Sequence, residues 1–116
     1  MVRKFIDVTS TIERLEAFEA RLGVSLEFLS VFVQDDGDGD VYLWVCGELQ
    51  PQDGKELQED LQVEIEATAY DASKRIIGTS SDKVSIDKII GFEAFKVHVK
   101  LSVAQVSKVR IYPKKG

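Results

Sequence analysis

The chain has 116 residues, a length that suits one domain with a core of its own. Hydrophobic residues make up 44% and charged residues 30%, which is typical of globular proteins and excludes intrinsic disorder. No apolar run approaches the roughly 20 residues that a membrane helix needs, so we expect no membrane span. The chain reaches Asp7 before any apolar stretch develops, and we therefore expect no signal peptide and a cytoplasmic location.

Charge is divided unevenly along the chain. Residues 1–66 hold five basic and sixteen acidic residues, a net charge of −11, whereas residues 67–116 hold ten basic and four acidic residues, a net charge of +6. Two interpretations are open: acidic strands pair with basic strands across a sheet, or the surface carries two fields that steer a partner or a second copy. Nucleic acid is not an expected partner, because the basic half lacks interleaved aromatic residues and the whole chain is acidic.

The N-terminal segment carries the signals of one α-helix over about residues 11–22. Ser10 and Glu13 have the spacing of a capping box, in which each side chain satisfies a free backbone amide at the helix start. Gly23 is a typical helix stop. Apolar residues recur between these points at three- and four-residue steps, and they are Ile12, Leu15, Phe18 and Leu22.

Residues 25–112 carry the pattern of short strands separated by turns. The first two candidate strands, 25–34 and 41–50, flank an Asp- and Gly-rich turn at 35–40 and predict a hairpin. Further strands are predicted around 61–70, 75–79, 84–86, 95–101 and 108–112. Six or seven strands with turns every 8–12 residues predict a mainly β protein built as an antiparallel β-sandwich with one N-terminal helix. No linker divides the chain, so we expect a single domain over residues 1–116, with the helix packed on a sandwich of about residues 25–112.

Alternation of apolar and polar residues in the later strands predicts one buried core. The side chains on the apolar face of these strands are Leu61, Val63, Ile65, Phe95, Val97, Val99, Val109 and Ile111.

The first hairpin differs from the later strands because both of its faces are apolar. A strand pair of this kind needs a cover on both sides. The sandwich core supplies one cover, and the apolar stripe of the N-terminal helix is the only other apolar surface available. We therefore expect the helix, or else a second molecule, to lie over Tyr42 and Trp44.

The acidic turn of the hairpin is the most suggestive candidate site. Asp36, Asp38 and Asp40 occupy alternating positions, as in the opening of a calcium-binding loop. The residue after Asp40 is Val41 rather than glycine, and Gly47 stands where the bidentate glutamate of such a loop belongs. The turn is therefore either a weak calcium site or a solvated hairpin tip.

Catalytic chemistry is not expected. His98 is the only histidine, and no serine, cysteine or acid is placed beside it by sequence pattern. Cys46 lies within a strand, as small buried cysteines do, and one histidine with one cysteine cannot build a zinc site of the common types. Tyr42 and Trp44 could form a ligand platform, although strand aromatics more often belong to a core. We expect no enzyme and no cofactor.

Residues 41–112 resemble FxLYD-type immunoglobulin-like domains. The resemblance lies in the strand Val41–Leu49, in an alternating strand that ends with Tyr70-Asp71, in the Ile76-Ile77-Gly78 step, and in the late Gly91-Phe92-Glu93-Ala94-Phe95 segment. It implies an immunoglobulin-like β-sandwich similar to other bacterial modules of this type, which have no established enzymatic activity.

These observations together predict a non-catalytic interaction or accessory module. The expected partner is another protein or a second copy of the chain. The alternative is a small-ligand or weak calcium-binding domain that uses the acidic turn at 35–40.

Overall fold

A computed structural model describes residues 3–52 and 56–116 of the chain. Over these residues the chain forms eight strands, one α-helix and one short 3-10 helix. The strands are β1 (Lys4–Asp7), β2 (Ile12–Arg14), β3 (Val24–Asp35), β4 (Val41–Pro51), β5 (Leu61–Tyr70), β6 (Ile76–Ile86), β7 (Glu93–Leu101) and β8 (Lys108–Lys115). The helix α1 spans Glu16–Leu22, and the 3-10 helix spans Thr9–Thr11. The mainly β class is confirmed, with one strand more than the upper end of the prediction.

The strands form two four-stranded sheets. The first sheet has the order β1-β3-β4-β7, and the second has the order β2-β8-β5-β6. Pairing is antiparallel between all neighbours except β2 and β8, which run parallel. One cluster of buried side chains draws on both sheets, so the arrangement is sandwich-like.

The core follows the alternation of the strands. Seven of the eight side chains expected in it are buried, and they include Ile65 and Phe95. Leu61 is the exception, since it is half-buried and packs against the rim of the core. Valines and leucines of β3 and β4 complete the cluster from the first sheet.

The helix is shorter than predicted. Residues 12–14 form β2 and pair with residues 109–111 of β8. Ser10 lies in the 3-10 helix, and the residue at the N-cap of α1 is Leu15, which makes no side-chain capping bond. The predicted capping box is therefore wrong, because a parallel strand pairing with the distant C-terminus takes up these residues. Gly23 does end the helix, with a left-handed φ of 68°.

The helix packs against β8 and β3 rather than over the middle of β4. Its Phe18 ring lies 5.2 Å from the ring of Tyr112. Its Glu19 carboxylate is 2% exposed and accepts hydrogen bonds from Arg14 Nη2 at 2.6 Å and from the backbone N–H of Leu26 at 2.9 Å. The expectation that the helix covers Tyr42 and Trp44 is wrong, because these anchors hold the helix beside β8.

The two sheets approach each other closely where β6 meets β7. A side chain at Gly78 would lie 2.6 Å from the backbone oxygen of Lys100, so glycine is required for this approach. The backbone N–H of Ser102 also donates to the carbonyl of Ile77 at 2.9 Å. This end of β7 is therefore closed by β6.

Candidate functional site

The outward side of the first sheet carries a continuous set of aromatic side chains. Because Val33 and Leu43 point into the core, their neighbours in β3 and β4 point away from it. The strand register then brings outward residues of four strands into adjacent positions. We call this set the aromatic face, and its members are Phe5, Phe32, Tyr42, Trp44 and His98.

Three rings of the aromatic face form a stack. The imidazole of His98 lies 4.1 Å from the indole of Trp44 and 4.8 Å from the ring of Tyr42, measured between centroids, with interplanar angles of 21° and 29°. Lys96 Nζ lies 5.1 Å from the Trp44 ring centroid, within range of a cation–π contact. Trp44 Nε1 donates to Gln34 Oε1 at 2.9 Å. The stack is thus fixed by polar and aromatic contacts.

The face continues onto β1. The rings of Phe5 and Phe32 meet edge to face at 5.9 Å, and Phe5 remains 59% exposed. Phe32, Tyr42 and Trp44 are each half-buried. Aromatic side chains left in water on adjoining strands make an apolar patch of the kind that marks an interaction surface.

Phe28 combines high exposure with an unusual backbone. It lies in β3, in the irregularity between Glu27 and Ser30, and its φ is +54°. Its neighbour Leu29 packs against the core, whereas the Phe28 ring is 78% exposed. A bulky residue in the left-handed region is strained, and such strain persists where the surroundings enforce it, often at functional positions.

Basic side chains alternate along β7 beside the stack. Lys96, His98 and Lys100 all point outward, since the residues between them are buried in the core. Within residues 3–52 and 56–116, no carboxylate forms an ion pair with any of the three. The row therefore presents positive charge that its own protein leaves uncompensated in the part that the structure describes.

On the second sheet, the basic side chains of β8 form ion pairs with glutamates of the neighbouring strands. Arg110 Nε lies 2.8 Å and Lys108 Nζ lies 3.2 Å from the carboxylate of Glu13. Lys114 Nζ lies 3.8 Å from Glu64 and 3.6 Å from Glu66. The basic strand β8 thus lies between acidic partners, which confirms, for this sheet, the interpretation that charges pair across strands.

These contacts shift the pKa values of their groups. The hydrogen bond from Arg110 and the second bond from Lys108 lower the pKa of Glu13 below its ordinary value. The hydroxyl of Tyr112 donates to Glu66, and this hydrogen bond, aided by burial, raises the pKa of Tyr112 to about 12. On the second sheet, the outward charges of β2, β8 and β5 named here are therefore paired with one another.

Two carboxylates of the acidic turn accept hydrogen bonds from groups of the chain itself. Asp36 Oδ1 accepts hydrogen bonds from Arg3 Nε at 3.0 Å and from Gln34 Nε2 at 2.8 Å. Asp38 Oδ1 accepts the backbone N–H of Asp40 at 3.0 Å, as a turn residue does. Over the described residues, no three or more His, Cys, Asp or Glu side chains form a group that could hold a metal ion.

The two catalytic candidates lie on the aromatic face. His98 is exposed at its rim and stacked between aromatic rings. Cys46 is half-buried, two residues from Trp44, and lies opposite Lys96 in the strand register. Among the described residues, the imidazole of His98 makes two ring stacks and no side-chain hydrogen bond, so no nucleophile–base pair is formed there.

A polar cavity of about 480 Å³ lies beside α1. It is lined by Arg14, Glu19, Glu27 and Gln50 among others. Its most buried group, Glu19, is already bonded by Arg14 and by the backbone of Leu26. The buried polar group of this cavity therefore serves to anchor α1.

Sequence patterns do not predict the place of Phe5 on the face, because it lies before the predicted helix and outside any predicted strand. They also give no sign of the left-handed backbone at Phe28. The charged stack was also missed, because Trp44 belongs to the acidic half of the sequence and Lys96 and His98 belong to the basic half. The aromatic residues of β4 and the basic residues of β7 become neighbours only through the pairing of these two strands.

Comparison with protein-family models, with curated proteins and with solved structures finds no match for this chain. Among the described residues, no helix is both long enough and apolar enough to cross a membrane.

Proposed function

We propose that this protein is a non-catalytic interaction module that binds another protein through the aromatic face. The observation that carries the proposal is the row of outward-facing aromatic side chains across β1, β3, β4 and β7, in which Phe5 and His98 are exposed and the others are half-buried. Large aromatic residues supply most of the binding free energy in many protein interfaces.

A flat protein partner suits this face better than a small ligand. Small ligands bind in concave sites that bury most of their surface. The described cavities are lined instead by groups around α1 and by the Tyr70–Asp71 and 102–107 turns. The rings of Tyr42 and Trp44 are also engaged by His98, which limits their use as a stacking platform.

The resemblance to FxLYD-type immunoglobulin-like domains and a cytoplasmic location belong to the same proposal. The resemblance is supported by the strands that its motifs occupy: residues 41–49 lie in β4, residues 64–70 lie in β5, and Ile76-Ile77-Gly78 begins β6. A module of this class acts by binding, in keeping with the lack of a nucleophile–base pair at His98 and Cys46 within the described part of the chain.

Site-specific photo-crosslinking in the source cell tests the proposal. A benzoylphenylalanine replaces Phe5 on the aromatic face, and a matched variant carries it at Gln62, an exposed position on the outward side of β5. We expect a discrete crosslinked protein from position 5 and none from position 62. Equal yields from both positions, or a product from position 62 alone, would refute the assignment of the face.

A further inference from the structure

The chemistry of the partner follows from the basic row on β7, and the inference rests on the function proposed above. Lys96, His98 and Lys100 point outward at every second residue, so neighbouring side chains are spaced by about 7 Å. The row lies directly beside the aromatic stack, since Lys96 contacts Trp44 and His98 contacts both rings. Positive charge and exposed apolar surface therefore lie side by side.

The two basic strands β7 and β8 differ in how their charges are compensated. Each of Lys108, Arg110 and Lys114 on β8 has a glutamate within 4 Å. Lys96 and Lys100 on β7 have no such partner among the residues that the structure describes. The chain as a whole carries a net charge of −5, whereas the outward side chains of this row are basic.

A partner that contacts the side chains of the row approaches from the face of the sheet, because these side chains point away from the core. The edge of β7 is closed at its C-terminal end by β6, through the close approach at Gly78 and the hydrogen bond from Ser102 to Ile77. Strand addition at that end of the edge is thereby disfavoured. An extended segment that lies across the face has its alternate side chains directed at the sheet, with the same spacing as the row.

We propose that the aromatic face binds an extended acidic segment of a protein partner, with carboxylates over Lys96 and Lys100 and apolar side chains on the exposed rings. Carboxylates compensate charges that the chain leaves unpaired, and the apolar contacts exclude water from them, which strengthens each ion pair.

The same observations disfavour the other occupants. Nucleic acid bases need free aromatic ring faces on which to stack, whereas the rings of Trp44 and Tyr42 already stack on His98. A second copy could present its own acidic turn, but Asp36 of that turn is already paired with Arg3. Both occupants remain distinguishable in the test.

Selection from a phage-displayed library of random 12-residue peptides supplies the probe. We expect the selected peptides to carry Asp or Glu at alternating positions with apolar residues between them. The Lys96→Glu/Lys100→Glu variant should lose binding of a selected synthetic peptide by tenfold or more. The matched variant Lys88→Glu/Lys115→Glu has the same net charge, with both changes at exposed positions off the face, and should bind within twofold of the natural chain. Lys96→Gln/Lys100→Gln gives the same test should the charge reversal impair folding.

The results distinguish a failure of the acidic-partner proposal from a failure of the aromatic face as a binding surface. Neutral or basic peptides that still lose binding when Phe5 is replaced by Ser would overturn the acidic partner and leave the interaction face standing. Peptides unaffected by Phe5→Ser and by both lysine pairs would overturn the face as well. Tighter binding of a 20-nucleotide oligo(dT) than of any selected peptide, or a dimer in sedimentation equilibrium that Lys96→Glu/Lys100→Glu abolishes, would replace the acidic segment with those occupants.

Discussion

The imidazole ring of His98 lies nearly parallel to the indole ring of Trp44, with the two ring centroids 4.1 Å apart. The pair joins two halves of the sequence that carry opposite charge, and it exists because β4 and β7 place Trp44 and His98 directly opposite each other. It is the centre of the aromatic face, and it gives the protein an internal reporter, since Trp44 is the only tryptophan.

Replacing His98 with Ala should expose the indole. Stacked aromatic pairs contribute about 1 kcal/mol beyond their area burial, so we expect the free energy of unfolding to fall by about that amount. Trp44 emission should shift to the red as water reaches the ring. The control is Lys100→Ala, on the same side of β7, which should leave the emission unchanged. An unshifted spectrum in the His98 variant would contradict the stack.

Phe28→Gly should stabilise the protein, because glycine adopts the left-handed backbone of this position without strain. The left-handed backbone costs a bulky residue about 1–2 kcal/mol, and glycine gives back about 0.5–1 kcal/mol in chain entropy, so a gain of up to about 1 kcal/mol is expected in thermal or denaturant melts.

Lys74 provides the matched control for Phe28. It also has a left-handed φ, of +66°, in an exposed turn away from the aromatic face. Lys74→Gly should raise stability by a similar amount and leave crosslinking from position 5 unchanged. If Phe28→Gly binds as the natural chain does, Phe28 has no part in the interface.

Truncating Ile65 to Ala should lower the free energy of unfolding by about 2–5 kcal/mol, because Ile65 is fully buried and its removal leaves a cavity. Leu61→Ala, at the half-buried start of the same strand, should cost clearly less. Urea melts of the two variants make the comparison. A similar fall in the free energy of unfolding for both variants would show that Leu61 contributes to the core as much as Ile65 does.

Alkaline stability should depend on Tyr112. Its pKa is raised from 10.0 to about 12 by the hydrogen bond that its hydroxyl donates to Glu66. The folded state therefore holds this proton more tightly than the unfolded state, so the stabilisation is complete below pH 10 and is lost as pH rises toward about 12. Tyr112→Phe should remove this part of the alkaline loss. Parallel stability profiles for the two proteins between pH 8 and pH 12 would contradict the assignment.

Calcium at millimolar concentration should leave the melting temperature unchanged. A ligand that binds only the folded state raises stability by RT ln(1 + [L]/Kd), so even a weak site becomes visible in this range. In the acidic turn, Asp36 accepts hydrogen bonds from Arg3 and Gln34, and Asp38 accepts one from a turn amide. A rise in melting temperature that Asp38→Ser abolishes would restore the calcium-loop interpretation.

The sequence predicts the core well because alternation within a strand is a local signal. Ile65 and Phe95 lie on the apolar side of their strands whatever the order of the strands in the sheet. The hairpin around the turn at 35–40 is likewise encoded by residues close together in the chain, and it forms as β3 and β4.

Features that depend on distant pairing escape prediction. Ile12, Glu13 and Arg14 have a helical pattern, but pairing with β8 near the other end of the chain makes them a strand. Tertiary contacts override local propensity in this segment. The aromatic face escapes for the same reason, because the contact of Trp44 with His98 requires the register of β4 against β7.

The most direct test of the aromatic face as a binding surface is amide chemical-shift mapping with a selected acidic peptide. We expect the largest perturbations at the outward residues of β3, β4 and β7, including the indole N–H of Trp44. Perturbations concentrated on β5 and β8 of the second sheet, with the Trp44 signal unmoved, would contradict it.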